Sequence, residues 1–394
     1  MIGHLVSATC HLPFVVFGKF YSETKAPEGW RTPKRWREAR PFVIHHSFVI
    51  RHLSFVILSL YTCNAESLKI GLLAPPQEPE VISLEQGARL AIEEANQLPG
   101  PKSELVIRGR PGQWGTDGDE AAALALDESV GAMIAPPDGA ASHQAMQVAG
   151  RTRIPVVSLC PDASITASGI PWVLRIVPRT DSEAQTIFAG APRKSAWAAL
   201  VPDGRAGREA TRDLRTAARN SNCALQEPVN LPRQKPDWEP ALKKLLAGNP
   251  QNILLWVDPP SAGQLAQRLR QLGYKGLLAG PSRLNCASFL NQVGLAAEGF
   301  LVPGLIGSRP SPFAENYRQR FGNAPDFTAT MAYDAAFVLR QVLRSSADQP
   351  PYRAFPLKIE FSGGSAPLIF DKDGNRQLTL QLLVCRKGQF VSQK

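Results

Sequence analysis

Along residues 66–394 the spacing of apolar positions switches repeatedly between an unbroken run and a helical period. Leu68-Lys69-Ile70-Gly71-Leu72-Leu73 is a short, mostly apolar run of the kind buried in parallel sheets. After Ser83, residues Leu84, Ala88, Ala91, Ile92 and Ala95 fall on one face of a helix that Pro99-Gly100 stops. Leu105-Val106-Ile107 predicts the next strand, an Ala/Leu-rich stretch over 119–130 a helix, and Gly131-Ala132-Met133-Ile134-Ala135 a third strand. Asp138 is placed to cap the helix that follows, and Ile154-Pro155-Val156-Val157-Ser158 predicts a fourth strand. This β-α-β-α order implies a doubly wound parallel sheet with right-handed crossovers.

The order then begins again. Strands are expected over 196–201, 252–257 and 276–279, with helices over 207–220 and 261–272. Two such series imply an α/β protein of two doubly wound, Rossmann-like lobes, and 394 residues suit two cores of ordinary size. Open α/β sheets bind ligands beyond the carboxyl ends of their strands. Those ends fall at loops 75–79, 136–140, 159–164, 202–206, 258–261 and 280–283.

Chemistry-bearing residues change this picture mainly by being scarce. Five of the six histidines (His4, His11, His45, His46, His52) precede residue 66, leaving only His143 for the lobes, where it reads as a surface or cleft-edge residue. A Ser-His-Asp, Cys-His or His-rich zinc site has little to draw on, and no Cys-x-x-Cys pair occurs. The Gly-x-Gly-x-x-Gly, P-loop and Gly-x-Ser-x-Gly patterns are also absent. Gly363-Gly364 reads as a turn in a late hairpin. The formal charge is +10, but eight Lys/Arg against three Asp/Glu lie before residue 66, and the rest carries 36 against 31. With no dense basic stripe there, nucleic acid is not an expected partner.

Residues 1–65 follow a different pattern. Phe-Val-Ile recurs at 42–44, 48–50 and 55–57, a low-complexity echo. The last copy lies in a basic–apolar–small sequence, from Arg51-His52 to Thr62-Cys63-Asn64-Ala65, which matches a signal peptide and is too short to span a membrane as a helix. Residues 1–40 are then expected to be untranslated or disordered. Cleavage is expected at Cys63, which would carry a lipid anchor, or after Ala65, and the lobes are expected to be periplasmic or otherwise extracytoplasmic. Cys160, Cys223, Cys286 and Cys385 could pair there, in any of three ways, or remain buried thiols.

From about residue 68 to 391 the chain resembles the branched-chain amino-acid-binding proteins of ABC transporters, which have the type I periplasmic-binding fold. The resemblance rests on Lys69-Ile70-Gly71-Leu72-Leu73-Ala74-Pro75, Gly87-Ala88-Arg89-Leu90-Ala91-Ile92, Trp172-Val173-Leu174-Arg175-Ile176-Val177-Pro178, Tyr317-Arg318-Gln319-Arg320-Phe321-Gly322 and Ile369-Phe370-Asp371-Lys372-Asp373-Gly374-Asn375-Arg376. Each motif is weak alone, and their order across the chain carries the likeness. It implies two lobes joined by a hinge, with 66–188 in the first lobe, 189–307 in the second, 308–350 back in the first, and 351–394 as a C-terminal hairpin returning to the hinge and second lobe. It also implies a non-enzymatic protein that needs no cofactor. Such a protein closes two lobes on a small polar solute and presents it to a membrane permease or, on the same fold, to a signalling partner.

The site residues implied by the resemblance depart from the family pattern. Pro137-Asp138-Gly139-Ala140 stands where serines usually hold a carboxylate, and Asp138 would repel one unless it only caps the helix. Cys160 and Asp162 occupy the next loop, and Asp162 is either a holder of cationic or hydroxylated solutes or an exposed acid. Ala206 replaces an aromatic, Ser282 aligns with the acid that meets an amino group, and Trp256 stacks on a ligand or packs in the core. Free leucine, isoleucine and valine are therefore expected not to bind tightly, because neither of their charges finds its usual partner.

Overall fold

The computed structural model describes residues 67–394, apart from 76–79, 111–114, 192–195, 233–237, 307–311, 347, 359, 365 and 394. The expected leader and Cys63 lie outside the described residues.

The first lobe is built on a five-stranded, wholly parallel sheet of order β2-β1-β3-β4-β5. Its strands are β1 (Leu68–Leu73), β2 (Ser103–Arg108), β3 (Ala132–Ala135), β4 (Val156–Ser158) and β5 (Val173–Arg175). Helices α1 (Val81–Gln97), α2 (Thr116–Leu126) and α3 (Gly139–Thr152) connect them. Successive residues of β1 feed opposite faces: Ile70 and Leu72 join one core cluster and Leu73 the other. Both faces are covered, so the strands read as continuous apolar runs instead of alternating ones.

Helix α4 (Thr180–Gly190) opens the second lobe. It buries Ala184, Ile187 and Phe188 against Trp197, Leu214 and Leu382, which belong to the second core. The expected boundary at 188/189 is therefore displaced, since the chain crosses before Thr180. Strands β6 (Trp197–Pro202), β7 (Val229–Leu231), β8 (Asn252–Leu255), β9 (Leu277–Ala279) and β10 (Leu301–Leu305) run parallel. Helices α5 (Arg205–Asn220), α6 (Glu239–Ala247), α7 (Pro259–Gln271) and α8 (Ala287–Val293) flank them.

The chain returns to the first lobe in α9 (Pro312–Phe321) and α10 (Phe327–Ser345). Helix α10 packs along α1 so closely that a Cβ on Gly87 would lie 2.0 Å from the Ala329 carbonyl oxygen. A small hairpin, β11 (Phe361–Ser362) with β12 (Pro367–Leu368), turns at Gly363-Gly364 and sends Leu368 into the first core. The C-terminal ribbon β13 (Leu380–Arg386) and β14 (Gln389–Ser392) then joins the second sheet antiparallel, giving the order β14-β13-β10-β9-β8-β6-β7. The second sheet is thus mixed, not parallel throughout.

The crossovers lie side by side. The Arg175 N–H donates to the Gly374 carbonyl at 2.9 Å, and the Arg376 N–H donates to the Arg175 carbonyl at 3.0 Å. Gly374 has φ +84°, a turn conformation that favours glycine. Among the described residues, Cys160, Cys286 and Cys385 are free thiols. Among the described residues, no helix is long and apolar enough to cross a membrane.

Candidate functional site

A cleft of about 810 Å³ opens where the carboxyl ends of strands from both sheets meet. Its first-lobe wall carries Pro137, Asp138, Gly139, Ala140, His143, Leu159, Cys160 and Asp162. The facing wall carries Arg205, Ala206, Glu209, Asp213, Trp256 and Arg283, with Glu183 at the head of α4. Residues from five of the six strand-end loops identified in the sequence line it; 76–79 of the sixth lie outside the described residues.

Asp138 is the helix cap. Its Oδ1 accepts from the Ala141 N–H at 2.8 Å with extended backbone (φ −66°, ψ 129°), so the carboxylate is turned onto the first turn of α3. Asp138→Ala is expected to lower stability by about 1 kcal/mol, read as a shifted urea midpoint with little change in slope. Ser142 Oγ ties this turn to β4, donating to the Pro136 carbonyl at 2.7 Å and meeting Ser158 Oγ at 2.9 Å. The Cys160 thiol is buried, and burial pushes its pKa up to about 12, so it contributes bulk to the cleft wall and no thiolate at neutral pH.

Asp162 is not an exposed acid. Oδ1 accepts from the Ser164 N–H and from Ser164 Oγ, both at 2.9 Å, while Oδ2 lies 3.2 Å from His143 Nε2. Burial raises its pKa, but the His143 and Ser164 hydrogen bonds outweigh this and hold it well below the usual carboxylate range. The Arg175 guanidinium supports the same loop, donating to the Asp162 carbonyl at 2.9 Å and to Asn375 Oδ1 at 2.6 Å. Loop, hinge and cleft wall are therefore one hydrogen-bonded unit.

His143 is mostly buried and reaches across the cleft. Arg205 Nη2, from the second lobe, lies 2.8 Å from its Nε2, donates to Ser164 Oγ at 3.3 Å, and lies 3.7 Å from Asp162 Oδ2. A second interlobe contact joins Arg283 to Glu80 at the start of α1, with Nη2–Oε1 2.5 Å and Nε–Oε1 2.7 Å.

Ser282 does not line the cleft. It is fully buried, and its N–H donates to Glu183 Oε1 at 3.0 Å. A carboxyl group thus stands beside the place that the sequence left without one, supplied by a residue 99 positions away. Thr180-Asp181-Ser182-Glu183 has the spacing of a capping box, the one local signal that marks Glu183. The structure breaks the box: Arg179 is the cap residue, no side-chain cap bond forms, and Glu183 turns to Ser282 instead. Trp256 belongs to the second core, the packing role that was one of its two sequence-based readings, and presents one surface to the cleft. Ala206 opens onto the cleft from the first turn of α5.

Among the described residues no cluster of His, Cys, Asp and Glu could hold a metal ion. The fold is shared with solved binding proteins. A leucine-binding protein from Thermotoga maritima is 18% identical, superposes with a TM-score of 0.75, and is matched over 83% of this chain and 98% of its own. A solute-binding protein of an ABC transporter from R. palustris, in complex with benzoate, is 15% identical, with a TM-score of 0.74 over 83% and 95%. A branched-chain amino-acid transporter substrate-binding protein from Streptococcus pneumoniae, in complex with isoleucine, is 17% identical, with a TM-score of 0.72 over 83% and 100%. None of the curated proteins matches the chain. At these identities the likeness establishes the fold. The family is established by residues 67–381, which match the model for periplasmic binding proteins: the chain belongs to the periplasmic binding protein family.

Proposed function

We propose that this protein captures a small polar solute between its lobes outside the cytoplasm and delivers it to the permease of an ABC transporter. The observation that carries this reading is the cleft itself. Strand-end loops of both sheets converge on it, and arginines of one lobe reach polar groups of the other across it. Such contacts exist only when the lobes approach, so a solute that binds both walls shifts the molecule toward closure. The related structures that hold benzoate or isoleucine support solute capture as the function. No covalent step is part of it, and Asp138, Cys160 and Asp162 take structural or electrostatic roles. The wall residues Pro137, Gly139, Ala140, Ala206 and Trp256 shape the space.

The test is scattering and melting together. The cognate solute should lower the radius of gyration and raise the melting temperature, with about 2.7 kcal/mol of added stability at a hundredfold excess over Kd. Conversion of any added solute into product would displace this reading in favour of an enzyme.

Leucine is still expected to bind weakly. The cleft is lined by six carboxylates (Asp138, Asp162, Glu183, Glu209, Asp213, Asp258) and two guanidinium groups (Arg205, Arg283), a wall in which an amino-acid carboxylate is poorly placed. Calorimetric titration should give a Kd above 1 μM, near −8.2 kcal/mol. Submicromolar leucine binding would show that the walls offer the carboxylate donors this account leaves out.

A further inference from the structure

We propose that Glu183 is the residue that fixes a cationic nitrogen of the solute, so that the captured molecule is an amine or amidine. The proposal rests on the solute-capture reading and names the class of solute that this cleft accepts.

The lining acids are not equivalent. Asp138 and Asp258 cap helices, accepting from the N–H groups of Ala141 at 2.8 Å and Ser261 at 3.0 Å. Asp162 has donors on both oxygens. Glu209 and Asp213 share Arg212, at 2.5 and 2.9 Å. Glu183 differs from all of these. It is 3% exposed and lines the cleft, yet its hydrogen bonding is supplied by Ser282, and among the described residues it forms no ion pair. A carboxylate buried without a counter-ion costs several kcal/mol, and a protein that keeps one in a cleft wall has a use for it. A nitrogen cation entering the cleft supplies the missing charge.

The surroundings favour the same sign. Ser282 and Arg283 from the turn after β9 adjoin Glu183, and Glu209 and Asp213 of α5 line the same cleft. Arg179 and Asp181 stand at the start of its own helix. Strand β10 carries no ionisable side chain, and Cys385 of β13 packs in the core on the other face of the sheet. Arg283, the nearest cation, is held by Glu80. Arg212 is held by its two carboxylates.

Burial pushes the Glu183 pKa up to about 7. A bound cation favours the ionised form and lowers that value. The sign is then fixed. Affinity is fully developed above pH 7 and falls as pH drops below it, by about tenfold per unit, until the lowered pKa of the complex is reached. Between pH 6 and 7, binding also releases a proton.

The experiment titrates the protein with putrescine, agmatine and choline as cations, leucine as a zwitterion and benzoate as an anion, at pH 8 and pH 6, by melting and calorimetry. At least one cation should bind, about tenfold more tightly at pH 8 than at pH 6, with a heat at pH 6.5 that depends on the buffer's ionisation enthalpy. Glu183→Gln keeps an acceptor for the Ser282 N–H. It should melt no lower than the parent and lose cation affinity by a hundredfold or more. Glu315→Gln, an exposed acid of α9 outside the cleft, serves as the second variant and should change affinity less than fivefold. Tight benzoate or leucine binding that survives Glu183→Gln would leave solute capture standing and overturn the role of Glu183. A panel in which no cation binds also overturns it, and if leucine and benzoate fail as well the capture reading loses its support.

Discussion

Replacing Arg376 by methionine is expected to destabilise the folded chain by about 3–5 kcal/mol, the largest single effect on stability. Arg376 and Asp334 are fully buried as a pair, Nη1–Oδ2 3.0 Å, with both side chains at 0% exposure. The guanidinium also donates to the Ala366 carbonyl at 2.9 Å, and Asp334 Oδ1 accepts from the Gly364 N–H at 2.6 Å. The pair therefore joins α10, the β11–β12 hairpin and the crossover that leads to β13. Burial lowers the Arg376 pKa, while Asp334 opposes that fall. Removing the arginine leaves a carboxylate in the core with no cation to meet it. The cost of that orphan, not the worth of the bond, sets the magnitude.

The double variant Asp334→Asn with Arg376→Met distinguishes the two. It removes both charges while keeping an amide oxygen for Gly364, and should recover more than half of the loss. Urea denaturation of the four proteins gives the coupling directly. Equal losses in the single and double variants would mean that the guanidinium's carbonyl contacts, and not its charge, hold this corner together.

The parts of the fold that were legible in the sequence are those decided locally. Strand β1 runs over Leu68–Leu73, as its apolar pattern predicts, because a buried parallel strand needs little beyond a run of the right length. Asp138 caps α3 because a short acid before a helical pattern has one low-energy use for its oxygen. Helix α5 begins at Arg205, two residues before the expected start. Its first turn lacks a side-chain cap, leaving no residue type to mark it. Helix α4 is invisible for a related reason: it follows the crossover directly, and its polar first turn reads as loop. That omission displaced the lobe boundary. The mixed character of the second sheet depends on β10 meeting β13 some 80 residues later, and neither strand encodes its partner.

Of the nine residues that the resemblance puts forward for the site, eight line the cleft, because the positions it points to lie at strand ends. Ser282 does not. The acid beside it, Glu183, comes from another helix, and no spacing rule links two positions 99 residues apart. His143 has the same history. Alone in the sequence it is an unremarkable helical histidine; in the fold its ring meets Asp162 and Ser164 from one loop and Arg205 from the opposite lobe.

Arg283→Ala is expected to weaken solute binding by a hundredfold or more, while Arg205→Ala changes it less than about fivefold. Both arginines bridge the lobes, and burial decides between them. The Arg205 side chain is 54% exposed, so its contact is weakened by solvent and salt and is worth at most about 1 kcal/mol. The Glu80 side chain is 2% exposed and that of Arg283 is 24% exposed. Opening the lobes lets water reach Glu80; closing them without Arg283 buries an uncompensated carboxylate. The closed state is penalised by about 3 kcal/mol and the open state is not, which converts to more than two decades in affinity. Scattering on the solute-free variants should show a larger radius of gyration for Arg283→Ala than for Arg205→Ala at 0.1 M salt. Glu80→Gln, which removes the buried charge, should restore most of the closure lost in Arg283→Ala when the two changes are combined. If the exposed arginine proves the more costly to remove, closure is governed by the mouth of the cleft and not by the pair buried at α1.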